Sequence, residues 1–147
     1  MFATIVVGTD GSAIAEQAVR VAAEIAASDH SKLHAVSAYH LLSASEVTGM
    51  RESLPAEYRD VIDADGAVDE HLMSAAHIGD HYGVDVAKHA VAGHATQAVL
   101  DVAEEVDADL IVVGCRGLHG VRRMLGSVST KLVHHSPRSV LVVHPPE

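Results

Sequence analysis

Leu110-Ile111-Val112-Val113-Gly114-Cys115-Arg116-Gly117 runs from four apolar residues into two glycines flanking an arginine, and Gly126-Ser127-Val128-Ser129 follows after eight further residues. A short unbroken run of branched aliphatics suits a strand covered on both faces, as in a parallel sheet. Glycines at its end let backbone N–H groups approach an anion with no Cβ in the way, and a hydroxyl-rich helix start adds unpaired donors and a favourable dipole. The stretch reads as strand, loop and helix N-terminus around a phosphate seat. The plainer reading is a glycine turn followed by a helix cap.

The same order opens the chain. Ala3 to Val7 predicts a first strand ending in Gly8-Thr9-Asp10-Gly11-Ser12. Ser12 is placed to cap a helix with Glu16 in its first turn and an apolar stripe of Ala15, Val19, Ala22, Ala23 and Ala26. Leu33 to Tyr39 predicts the second strand. Residues 40–67, dense in Asp, Glu, Ser and Gly, predict a surface excursion with one or two short helices, with Ser43 and Glu46 at capping-box spacing and Pro55 as a helix start. Val68 to Tyr82 reads as a helix closed by Gly83, Val84 to Val91 as the third strand, and Thr96 to Val106 as a helix. Asp109 to Val113 reads as the fourth strand, Ser127 to His135 as the last helix and Ser139 to Val143 as the fifth strand.

Strands alternating with helices at this spacing predict one α/β domain over residues 1–147, a doubly wound parallel sheet with helices on both faces. Ligands of such sheets sit beyond the carboxyl ends of the strands, where the winding reverses. If the first and fourth strands are neighbours there, the Thr9-Asp10 turn and the Gly114 loop converge on one crevice.

Composition narrows the partners. With 48% apolar residues, 147 residues can bury one two-sided core. The formal charge of −10 argues against nucleic acid or an anionic membrane surface, and no apolar run is long enough to span a bilayer. Against that acidic background, Arg116, Arg122 and Arg123 gather beside the glycines, the local positive charge that an anionic ligand needs. The lone Cys115 cannot form an internal disulfide and reads as a small packing residue rather than a redox thiol. No basic-then-apolar leader precedes Ile5-Val6-Val7, so a cytoplasmic setting is expected.

Competing motifs fail on their chemistry. The first turn lacks the Gly-Lys-Ser/Thr ending of a P-loop and the Gly-x-Gly-x-x-Gly of a dinucleotide fold, which favours a mononucleotide. Among twelve histidines, His77 and His81 have helical i, i+4 spacing with His71 upstream. No Glu follows His77 and no cysteine is near, so a solvated helix face is a better reading than zinc. His134-His135 falls where charge complements a helix C-terminus, and His119 reads as a surface imidazole in the glycine loop.

Val7-Gly8-Thr9-Asp10-Gly11-Ser12, Gly114-x-x-Gly117, Gly126-Ser127-Val128-Ser129 and the closing Ser139-Val140-Leu141-Val142-Val143 together resemble the universal stress protein family over essentially the whole chain. The resemblance implies a five-stranded parallel sheet in the order 3-2-1-4-5 and a homodimer through the last strand, Val140, Leu141, Val142 and Val143. It implies the branch that binds ATP, with or without Mg²⁺. Gly8, Thr9 and Asp10 would then lie at the first turn, the Asp10 carboxylate meeting adenine or ribose donors or holding Mg²⁺. Ala38 would lend a backbone group to the adenine edge. Gly114, Arg116, Gly117, Gly126, Ser127, Val128 and Ser129 would surround ribose and phosphates. The family's ATP pattern has nine residues between the second glycine and Gly-Ser, whereas Leu118 to Leu125 supplies eight. In a helical segment one missing residue turns the far end by roughly 100° and shortens it by about 1.5 Å.

Two function classes follow. The first is a stress-response binding module whose nucleotide occupancy alters its affinity for protein partners, with the shortened loop opening the alternatives of AMP, cyclic AMP or no nucleotide. The second is a slow ATPase or a protein that phosphorylates itself on Ser127, Ser129 or Thr130. Phosphoryl transfer needs positioned charge, a metal holder and a group that orients the attacker, and no carboxylate follows the glycine loop until Glu147. The binding module is therefore the leading expectation.

Overall fold

The apolar runs become strands whose residues alternate between two cores. A computed structural model describes residues 1–39, 64–115 and 125–146. The strands are β1 (Thr4–Gly8), β2 (Lys32–Tyr39), β3 (Val86–Ala92), β4 (Leu110–Gly114) and β5 (Ser139–Val143), and the described helices are α1 (Ala13–Asp29), α2 (Ala64–His81), α3 (Ala95–Glu105) and α4 (Ser127–His135). All pairings are parallel, in the order β3-β2-β1-β4-β5. The expected α/β fold and strand order are thus present.

Because successive strand residues point to opposite faces, Ile5, Val7, Leu33, Ala35, Leu110 and Val112 pack with α1 and α2, while Val6, Val36, Ile111 and Val113 pack with α3 and α4. The alanine stripe of α1 lets its backbone lie close to the sheet, with Ala18, Ala22 and Ala23 fully buried. On the other face Leu132 of α4 is fully buried over Ile111 and its neighbours. The winding reverses between β1 and β4, which pair in the register Ile5↔Leu110 to Val7↔Val112.

Element ends differ from the sequence expectation where side chains or turns take over backbone partners. Asp109 precedes β4 instead of opening it, because its carboxylate accepts the Ala3 and Thr4 amides at 2.7 and 2.9 Å. Val84 belongs to the turn after α2: its amide reaches back to the Gly79 carbonyl at 2.9 Å, with Gly83 at φ 69°. The third strand therefore starts at Val86. Helix α2 begins at Ala64, earlier than Val68, so the predicted excursion ends sooner; its remainder, with Ser43, Glu46 and Pro55, lies outside the described residues. Ser12 caps α1 as expected, its Oγ accepting from Ala15 at 3.2 Å. Among the described residues no helix is long and apolar enough to cross a membrane.

Candidate nucleotide site

Beyond β1 the chain bends by bonding its side chains to its own backbone. The Thr9 amide is spent on the Val36 carbonyl at 2.9 Å. Thr9 Oγ1 accepts from the Gly11 amide at 3.2 Å, and Asp10 Oδ1 from the Ser12 amide at 2.9 Å. Such contacts hold a tight turn, and here they bring Gly11 to φ 79°. The turn uses Oδ1 alone, so the exposed Asp10 keeps a second carboxylate oxygen.

Across the winding reversal, β4 ends at Gly114 and Cys115 turns back into the core, 2% exposed, with its amide on the Val143 carbonyl at 2.8 Å. The Cys115 carbonyl accepts both the Gly126 amide and Ser129 Oγ, the latter at 2.9 Å. The two ends of the glycine loop are therefore pinned to each other. Gly126 is the extended N-cap of α4 and has no side chain to offer the first turn. The Ser127, Val128 and Ser129 amides precede the first helical bond, from Thr130 to the Gly126 carbonyl at 3.0 Å, and belong to the orphan donors of a helix start.

Between the two turns lies a cavity of about 190 Å³. Its polar lining comprises Thr9, Asp10 and the α4 start from Gly126 to Ser129; its apolar lining comprises Val36, Ala38, Ala95, Val99 and Val113. Gly8 and Gly114 form part of its wall. A Cβ on Gly8 would stand 3.1 Å from Val99 Cγ2, narrowing the floor, and one on Gly114 would stand 3.0 Å from Ile14 Cγ1 and 3.2 Å from the Ile14 carbonyl. Gly114 thus also lets α1 approach β4. Among the described lining residues Asp10 is the one ionisable group, and it shares the cavity with the N-terminus of α4, the positive end of that helix's dipole. A lining that combines hydrogen-bonding groups with apolar side chains suits a flat heterocycle carrying a sugar and a phosphate.

The universal stress protein family model matches residues 1–144. A curated relative, universal stress protein Rv1636 of Mycobacterium tuberculosis, is 35% identical over 145 residues, covering 97% of each chain. The chain belongs to the universal stress protein family. Among solved structures of the family, a universal stress protein in complex with cAMP is 32% identical, covers 99% of both chains and superposes with a TM-score of 0.75. The Archaeoglobus fulgidus universal stress protein in complex with dAMP is 26% identical, with coverage of 95% and 96% and a TM-score of 0.67.

Nine residues that the sequence marks for nucleotide contact, Gly8, Thr9, Asp10, Ala38, Gly114, Gly126, Ser127, Val128 and Ser129, line the one cavity. Arg116 and Gly117, with His119, Arg122 and Arg123, lie outside the described residues. Ser129 differs from expectation in one respect: the residue is 1% exposed and its hydroxyl already donates within the loop base. Sequence reading missed the apolar wall. Val36, Ala95, Val99 and Val113 carry no motif and look like ordinary core, and only the strand order shows that they share an open end.

The histidines divide by environment. His77 and His81 are exposed on α2 with ring centroids 5.1 Å apart, edge to face, and among the described residues no group of three or more His, Cys, Asp or Glu is arranged for a metal. His71 turns inward, against the β1–α1 turn. A pair that the sequence left unmarked, His34 on β2 and His89 on β3, meets across the strands with Nδ1 and Nε2 2.9 Å apart. Burial pushes the His34 imidazole below its ordinary value, and the neighbouring His89 and Lys32 push the same way.

Proposed function

We propose that this chain is an adenine-nucleotide-binding universal stress protein of the ATP-binding branch, a homodimeric signalling module whose nucleotide occupancy modulates its protein contacts. The observation that carries this reading is the convergence, in one cavity, of the Thr9-Asp10 turn, Gly114 and the open start of α4. The residues present fit an adenosine phosphate. The α4 amides and dipole suit a phosphate, Asp10 can accept from ribose or adenine donors or carry Mg²⁺ through its second oxygen, and the slot between Val36, Ala38 and Val99 suits the base.

A second reading concerns the nucleotide itself. The family members in complex with cAMP and dAMP favour a monophosphate or cyclic nucleotide, which places less demand than ATP on the shortened stretch after Gly117. Self-phosphorylation would need an accessible hydroxyl as acceptor, which Ser127 offers and the buried Ser129 does not, whereas slow hydrolysis would need only an oriented water.

Parallel calorimetric titrations with ATP plus Mg²⁺, AMP and cyclic AMP decide between these readings. Binding of none of the three at millimolar concentration would remove the nucleotide function. Mass spectrometry of the protein as purified, searching for a retained nucleotide, identifies the natural occupant. The dimer is proposed through β5, an edge strand bearing Val140, Leu141, Val142 and Val143, with Leu141 36% exposed. Sedimentation showing only monomer at micromolar concentration would overturn it.

A further inference from the structure

The turn that carries Asp10 is a thin wall with a cavity on each side. Thr9 lines the candidate nucleotide cavity and also a second one of about 300 Å³, whose wall includes Gly11, Glu16, Glu70, His71 and Ser74. The two cavities thus adjoin across Thr9 to Gly11.

His71 occupies the contact point on the far side. A Cβ built on Gly11 would stand 2.3 Å from both Cδ2 and Nε2 of His71, so the edge of the imidazole fills the space that any other residue at position 11 would need. Its Nδ1 is buried and, among the described residues, has no hydrogen-bond partner. The ring is therefore held by packing rather than by hydrogen bonding at that nitrogen. Charged and polar groups around it come from each neighbouring element: Glu16 from α1, whose Oε1 accepts from Ser74 Oγ at 3.3 Å, Glu70 from α2 itself, and the turn's own Thr9. Gly11 at φ 79° has no side chain of its own with which to resist movement, and its amide is held by Thr9 Oγ1 alone at 3.2 Å.

We propose that His71 is a positioning residue for the nucleotide cavity: its imidazole wedges α2 against Gly11 and so fixes the turn that presents Thr9 and Asp10. This rests on the nucleotide reading above for its consequence, though not for its geometry. Movement of α2 would reach the site through this contact. A partner or ligand that displaced α2 would then loosen Asp10 without touching it.

The test separates wedge from site. In nucleotide-free protein, His71→Ala should speed amide hydrogen exchange at Gly11 and Ser12 by at least about tenfold, while Val6 and Ile111 shift only as far as global stability does. The same variant should weaken binding of cyclic AMP and ATP, and His71→Phe, which restores a flat ring, should recover both turn protection and affinity. If His71→Ala unfolds, His71→Leu is compared with His71→Phe: without the flat ring the leucine variant should exchange faster at Gly11 and Ser12, and equal protection in the two would overturn the wedge. Unchanged protection at Gly11 and Ser12 would overturn the proposal whatever the protein binds. Lost protection in His71→Ala, where the unaltered protein binds neither nucleotide, would sink the nucleotide reading and leave the wedge standing.

Discussion

Ser129 is a residue whose position suggests a phosphate contact and whose hydrogen bonds give it other work. Its hydroxyl donates to the Cys115 carbonyl at 2.9 Å and lies 3.1 Å from the Gly126 carbonyl, inside a buried loop base. Ser129→Ala should therefore lower stability by about 1 kcal/mol, the Cys115 carbonyl keeping its second donor at Gly126. A urea melt checks this beside a nucleotide titration. An unchanged midpoint with weakened binding would mean that the hydroxyl serves the ligand instead. Gly79 poses a different conflict. Alanine there gains about 1 kcal/mol of helix propensity, yet its Cβ would stand 2.5 Å from Val86 Cγ2 and 2.7 Å from the Val84 carbonyl. A side-chain methyl can turn aside, whereas a backbone carbonyl in the turn that starts β3 cannot. Overpacking, at about 1–3 kcal/mol, should win, and Gly79→Ala should unfold at lower urea than the unaltered protein.

At the level of elements, β3 is the more weakly covered edge of the sheet, with Ala87, Lys88, Ala90 and Ala92 exposed, and the His34–His89 contact joins it to β2 in addition to the backbone ladder. The sign of its pH dependence follows from the direction of the His34 shift. Burial first, then His89 and Lys32, hold the folded imidazole below the ordinary 6.5, with Glu105 opposing. Above that value His34 is neutral both folded and unfolded and contributes nothing. As pH falls through it the unfolded chain takes up the proton first, so stability drops, levelling off below the folded value. Many other histidines titrate in the same range, so the measurement is a difference. The loss of stability between pH 7.5 and 5.5 should be smaller for His34→Asn than for the unaltered protein. A larger loss in the variant would contradict a lowered His34.

Across the whole molecule, what was legible and what was not divide by the range of the physics involved. The β-branched runs, the Ser12 cap and the closing strand are local signals, and each element they predict is present. The strand order came from family resemblance rather than from periodicity, since alternation says nothing about which strands are neighbours. The apolar wall of the cavity, the inward turn of His71 and the His34–His89 pair depend on that order and had no local signal. The same nonlocal assembly gives the last prediction. The cavity draws on β1, β2, β4, α1, α3 and α4, and so exists only when the sheet is formed. A ligand that binds the folded state alone must then stabilise the entire fold, by about 2.7 kcal/mol at one hundred times its dissociation constant. For a chain of this size that is a rise in melting temperature of about 5–10 °C. Asp10→Ala should keep the fold, because its turn retains the Thr9 and Ser12 hydrogen bonds, and should shrink the nucleotide-induced rise. Thermal melts of both proteins with and without saturating cyclic AMP or ATP measure this, and an equal rise in the two would take Asp10 out of the site.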